Sequence, residues 1–268
     1  MNNAAIGAFD SGLGGLTVVS QIHKYLPKES IVYFGDTGRV PYGGRSNETI
    51  LRYAEQDINF LKSHSVKLIV AACGTVSSVA TGLSDSLDIP FVEVVTPASE
   101  AAVNATVNGR VGVIGTSATV ASHSFKKRIA AINSDIDVVE YACPLFVPFV
   151  ESGLISKDDE LVIGIANRYL KPLINEKVDT LIMGCTHYPI LAPAIQSVMG
   201  DSVKLINTGE AAALKIKTIL TDKNMLAEKE PEHHFFVSDT TQTFFSTSEI
   251  LLGKSFDYDV KKIDIEKY

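Results

Sequence analysis

Leu68-Ile69-Val70-Ala71-Ala72-Cys73-Gly74-Thr75 reads as a short apolar strand that stops at a cysteine. Leu181-Ile182-Met183-Gly184-Cys185-Thr186-His187 reads as the same unit written a second time. An apolar run of that length, closed by a glycine turn signal, marks a strand buried on both faces, as in a parallel sheet. Each cysteine then stands at a strand's carboxyl end, the edge where open α/β sheets bind ligands. Two thiols at equivalent edges can face each other across one pocket. Acid/base groups on opposite sides of a small molecule suit removal of a proton from one face and its return to the other.

Outward from this pair, apolar runs at 5–9, 31–34, 91–95, 111–114, 138–141 and 203–206 add expected strands, and 67–72 and 180–183 enclose the cysteine units. Late strands are expected at 233–239 and 256–260. Amphipathic stretches at 49–62 and 158–174 predict helices, with starts at Asn47 and Ser156. In the second, Leu161, Ile165, Tyr169 and Leu173 define the expected buried face. Such alternation implies an α/β fold of mainly parallel sheets flanked by helices. No low-complexity linker divides the chain. The repeat predicts an inserted second α/β domain over 97–206, with 1–96 and 207–268 together forming the first. Residues 223–231, charged and ending in proline, are the most loop-like stretch.

With 268 residues, 46% of them hydrophobic and 21% charged, the chain has ample core for one large or two ordinary domains. Its formal charge of −7 argues against nonspecific nucleic-acid binding, and means that an anionic substrate needs a local positive site. No apolar stretch approaches the ~20 residues of a membrane span. The start, Met1-Asn2-Asn3, lacks the basic and apolar regions of a signal peptide, so a cytoplasmic protein is expected. Three cysteines, an odd number, argue against a disulfide framework. Cys143, followed by Pro144, reads as a buried small hydrophobe.

Residues 9–18 run from a strand end through a glycine-rich turn to a helix start. The turn is neither a Walker loop, lacking Gly-Lys-Ser/Thr, nor a dinucleotide fingerprint, because Thr17 stands where the third glycine belongs. Asp10 there is either a turn cap or a ligand-edge carboxylate that binds an ammonium group or acts as a base. Residues 35–45 form a shaped loop whose amides near Tyr42 and Gly43 suit a carboxylate, with Arg39 and Arg45 as cations that either face the ligand or pair elsewhere. The helix start after Cys73 is expected to lower that thiol's pKa, and Thr75 either donates to a carboxylate or caps the helix. His187 beside Cys185 either poises the thiol or serves as a cap, and Pro189 suits a first helical turn. Glu151 ends an apolar run before Ser-Gly. Zinc is the competing use of Cys73, Cys185 and His187, but no paired-ligand spacing and no fourth ligand accompany them. No metal is expected.

Taken together, Phe9-Asp10-Ser11-Gly12-x-Gly14-Gly15, Gly35-Asp36-Thr37-x-Arg39-x-Pro41-Tyr42-Gly43, Ala72-Cys73-x-Thr75 and Gly184-Cys185-Thr186-His187-Tyr188-Pro189 resemble glutamate racemase, within the aspartate/glutamate racemase superfamily. Order and spacing agree over nearly the full length. The resemblance implies interconversion of L- and D-glutamate without pyridoxal phosphate, metal or other cofactor, the D-isomer feeding peptidoglycan synthesis. It implies Cys73 and Cys185 as proton carriers, Asp10 supporting the first, and His187 with Glu151 supporting the second. Asp10, Ser11, Pro41, Tyr42, Gly43, Gly74, Thr75, Thr186 and His187 match substrate-binding positions. Two similar domains with the site in the cleft between them, and a homodimer, are implied as well; no membrane or nucleic-acid partner is expected.

The departure is Gly74, where the family usually carries asparagine. A lost hydrogen bond to a charged group is worth ~1.5–3 kcal/mol, so Gly74→Asn is expected to lower KM. Three other readings are a racemase of aspartate or hydantoins, a carboxylate-binding or gyrase-binding regulatory protein on the same scaffold, and a zinc hydrolase.

Overall fold

The structure is a computed structural model and describes residues 2–79, 82–240 and 244–268. Strands form where the sequence is short, apolar and rich in β-branched residues. Among the described residues these are β1 (Ile6–Asp10), β2 (Ile31–Gly35), β3 (Leu68–Ala71), β4 (Phe91–Glu93), β5 (Arg110–Gly115), β6 (Asp137–Ala142), β7 (Thr180–Met183), β8 (Lys204–Asn207), β9 (His233–Val237) and β10 (Val260–Lys262). They build two sheets, ordered β10-β9-β2-β1-β3-β4 and β6-β5-β7-β8, and every pairing is parallel. The fold is α/β, two parallel sheets flanked by helices. β1, β2, β3 and β7 are buried at every position, which is why they read as continuous apolar runs rather than alternating ones.

Register decides what meets at the carboxyl edges. Phe9 of β1 pairs Ala71 of β3, so Asp10 and Cys73 emerge side by side. Ile114 of β5 pairs Met183 of β7, which brings out Thr116 next to Cys185. One apolar cluster includes Ile6 and Val70 from the six-stranded sheet and Ile114 and Leu181 from the four-stranded one. The two halves therefore share a core across their seam. Each such side chain contributes about 1.5–3 kcal/mol on full burial.

Three local expectations need correction. The helix expected from Ser156 is Glu160–Asn175, started by Asp159, whose carboxylate accepts from the amides of Leu161 and Val162. Its buried face is Val162, Ala166, Tyr169, Leu170 and Leu173, while Leu161 is 66% exposed. A strict four-residue repeat drifts off a helix of 3.6 residues per turn, so the expected stripe holds only at its end. The last strand is Val260–Lys262 rather than 256–260. Phe256 and Tyr258 precede it and pack against Phe235 of β9, so their apolar character serves side-chain packing and not the ladder. The helix over 49–62 does start at Asn47, as expected, and runs to Ser63 with Ser46 as its cap.

Candidate active site

The glycine-rich turn after β1 carries Asp10 and Ser11, and it is glycine-rich because of what lies against it. A Cβ on Gly14 would fall 2.2 Å from Thr186 Oγ1 and 2.6 Å from the His187 ring, so this turn packs flush on the second cysteine's loop. Asp10 is buried, and its Oδ2 accepts from the Gly12 amide at 3.0 Å. Oδ1 finds no hydrogen-bond partner among the described residues. Burial raises the Asp10 carboxyl above its ordinary value, opposed by the charge of His187 and by the amides of Gly15, Gly12 and Ser11.

Cys73 lies just past β3, before the helix Gly74–Val79. Its thiol donates to Ser11 Oγ at 3.3 Å. Here the expected sign is overturned. Burial, and then the charge of Asp10, push the Cys73 thiol up to about 12. A six-residue helix cannot offset a carboxylate neighbour at a site only 4% exposed.

On the other edge, Cys185 is also buried, with His187 Nδ1 3.9 Å from its sulfur. His187 Nε2 lies 3.0 Å from Glu151 Oε1. Glu151 ends the helix Phe146–Glu151 and is half-exposed, so it is both a solvated helix end and the partner of His187. Burial works against the His187 cation, but hydrogen bonds to Cys185 and Glu151, with the charges of Cys185 and Asp10, raise it to about 10. Near neutral pH His187 is an imidazolium that donates toward sulfur on one side and carboxylate on the other.

Both edges open on one cavity of about 430 Å³. It is lined by Asp10, Ser11 and Cys73 on one side and by Glu151, Cys185, Thr186 and His187 on the other. Pro41, Tyr42 and Gly43 from the shaped loop, with Gly74 and Thr75, complete the residues expected from sequence. All of them meet here. Tyr42 does not present its hydroxyl to the cavity centre; it donates to Asp36, within a buried network of Arg39 and Asp57. Arg39 is spent on Asp36, Asp57 and Glu266, and Arg45 is exposed away from the lining, so neither supplies the expected positive site. Among the described lining residues His187 is the one cationic side chain.

Gly74 answers a different constraint from the one expected. A Cβ there would stand 2.4 Å from the carbonyl oxygen of Gly184, so in this arrangement the position admits no side chain. Gly74→Asn therefore drives the two cysteine loops apart instead of restoring a hydrogen bond. The sequence reading also missed Thr116 and Ser117, which line the cavity after β5. Thr116 Oγ1 lies 3.4 Å from Thr75 Oγ1, linking the two halves. The signal was present: Gly115-Thr116-Ser117 closes an apolar run as the cysteine units do. Cys143 is fully buried away from the cavity, as a small hydrophobe would be. His233 and His234 project to opposite sides of β9. No group of three or more His, Cys, Asp or Glu among the described residues is arranged to hold a metal ion.

Residues 14–216 match the Asp/Glu/Hydantoin racemase family. A glutamate racemase from Geobacter metallireducens is 43% identical over 265 residues, 98% of this chain and 97% of its own length. The chain belongs to the Asp/Glu/Hydantoin racemase family. Within this family its fold is that of the glutamate racemases. The crystal structure of a glutamate racemase isoform from Bacillus anthracis superposes with a TM-score of 0.93 at 38% identity, covering 98% of each chain. The glutamate racemase from Francisella tularensis, solved in complex with D-glutamate, gives 0.92 at 35% identity over the whole of both chains. As a racemase of this family the protein is an isomerase. No helix among the described residues is long and apolar enough to cross a membrane.

Proposed function

We propose that the protein interconverts L- and D-glutamate by direct proton transfer between Cys73, Cys185 and the substrate α-carbon, without an organic cofactor. One observation carries this reading: both sulfur atoms border the same cavity, at facing strand edges. One thiolate takes the α-proton, leaving a carbanion, and the opposite thiol then delivers its own proton to the other face; the two sulfurs have exchanged roles, and reversal needs no other group. The side chains around them divide the work. Cys73, pushed up by burial and Asp10, rests as the thiol. Cys185, 3.9 Å from the ring of His187, takes the α-proton in one direction and delivers it in the other. The α-proton is a very weak acid, so the developing carbanion needs fixed dipoles in a site closed to water. Asp10 Oδ1, buried and unpartnered, suits the substrate ammonium. Amides and hydroxyls at Gly43, Gly74, Thr75, Thr116 and Thr186 suit its carboxylates in place of the absent arginine.

Glutamate is chosen over aspartate on the names of the full-length relatives. We further propose that residues 1–96 with 207–268 and residues 97–206 are the two domains, that the enzyme is a cytoplasmic homodimer, and that its D-glutamate supplies peptidoglycan synthesis. Residues 1, 80–81 and 241–243 of the first domain lie outside the described residues.

The deciding experiment incubates the protein in deuterated water with L-glutamate, D-glutamate and each isomer of aspartate, with and without a chelator. Rapid α-deuteration of both glutamate isomers, with optical activity falling to zero and no chelator effect, is expected. Exchange with aspartate alone, or no exchange at all, overturns the reading.

A further inference from the structure

Thr17 plays no part in the chemistry above, and its side chain does not reach the cavity. It sits in the first turn of the helix Leu16–Tyr25, where a dinucleotide-binding turn would have its third glycine. That glycine permits close helix–strand packing; here the position carries a side chain that is 95% shielded and reaches into the other half of the molecule. Its hydroxyl lies 2.7 Å from the carbonyl oxygen of Thr186, 169 residues away in sequence, and 2.9 Å from that of Gly14. A threonine hydroxyl has one proton, so both carbonyls share one donor. The Thr186 carbonyl belongs to the peptide joining Thr186 to His187, the link between the Cys185 backbone and the imidazole that serves it.

The peptide's neighbours are held from within their own half: the Cys185 carbonyl accepts from the Tyr188 amide, the His187 carbonyl from the Ile190 amide, and the His187 ring meets Glu151. Gly14 packs directly on Thr186 Oγ1 and the His187 ring, and Gly74 packs directly on the Gly184 carbonyl. Both are glycine faces, which let backbone approach but hold it by contact alone. We propose that Thr17 is a positioning residue for racemisation: its hydroxyl, donated across the seam to the Thr186 carbonyl, fixes the Cys185–His187 loop against the turn that carries Asp10. The inference rests on the two-thiol reading. Misplacing an acid/base group by about 1 Å can cost 10²-fold in rate, so a modest shift of this loop is enough to be seen.

The test compares Thr17→Val, Thr17→Ala and Thr17→Ser with the parent enzyme, using L- and D-glutamate with hydrogen or deuterium at the α-carbon. Loss of the hydroxyl in Thr17→Ala and Thr17→Val should lower kcat by ~10-fold or more, a fold-change in keeping with one buried hydrogen bond, with KM nearly unchanged. Thr17→Ser, which keeps the hydroxyl and loses the methyl, should recover most of the rate. The substrate isotope effects should also diverge. Slowing only the Cys185 steps raises the effect for the enantiomer that Cys185 deprotonates and lowers it for the other. General loosening of the fold moves both alike. Equal activity of Thr17→Ser and Thr17→Ala overturns the proposal even if Thr17→Val fails to fold, as does an undivided isotope effect. Absence of racemisation in the parent enzyme refutes the functional reading instead.

Discussion

The two cysteine units are near copies in sequence and in place, each at the carboxyl end of a buried parallel strand, yet their surroundings are opposite in charge. Cys73 faces a carboxylate, Asp10, and is enclosed with Ser11. Cys185 faces a cation, His187, which is itself tied to the half-exposed Glu151. A duplicated scaffold thus yields one thiol that burial and a carboxylate hold in its protonated form and one set beside a cation, because the neighbours differ where the strands do not.

The comparison is broken most directly by deleting either sulfur. Cys73→Ala and Cys185→Ala should each lower racemisation by ~10⁴-fold, the upper range for one acid/base group, followed by circular dichroism of either isomer. Either variant should still eliminate a leaving group from a β- or γ-substituted analogue on its intact face. Substantial racemisation in one of them would mean that the two faces are not both used. Gly74→Asn comes next. With the Gly184 carbonyl 2.4 Å from the new Cβ, kcat/KM should fall by ~10²-fold, and Gly74→Ala should share most of the loss. A lower KM in Gly74→Asn would show that the loops separate freely. The smallest effect sharpens the electrostatic contrast. His187 binds its proton more tightly when folded, at about 10 against an ordinary 6.5. That proton stabilises the fold fully below about pH 6.5, and its contribution is lost as the pH rises through about 10. Melting temperature should therefore fall over that window, and His187→Gln should flatten this part of the curve. An unchanged slope would place the titration elsewhere.

Much of this was legible in the sequence, for a reason that also marks the limit. Strands buried on both faces, such as β1, β3 and β7, write their positions as apolar runs, and glycine and cysteine mark where they stop. Asp10, Ser11, Cys73 to Thr75 and Cys185 to His187 could be singled out because they follow those stops, whereas Pro41, Tyr42, Gly43 and Glu151 and the roles of all of them were expected from the resemblance to glutamate racemases. The sign of the Cys73 shift could not be read, since it depends on Asp10 lying beside it across two strands in register. Arg39 looked available because its partners Asp57 and Glu266 are distant in sequence. Gly74 looked like a missing side chain because the Gly184 carbonyl that excludes one comes from the other sheet. The lost stripe on the helix Glu160–Asn175 has a more local cause, a repeat counted as four instead of 3.6.

The chain from Cys185 through His187 to Glu151 ends at a carboxylate whose side chain is 47% exposed, whereas Cys73 donates to the neutral hydroxyl of the partly buried Ser11. Under the proposed chemistry, hydrogen carried on one sulfur has a titratable relay to bulk solvent, while hydrogen on the other meets a neutral hydroxyl. A label placed at the α-carbon of one enantiomer should then be washed out between turnovers, while the same label on its mirror image is remembered for longer. The enzyme would treat mirror-image molecules identically at equilibrium and still keep different isotopic accounts of where each one came from.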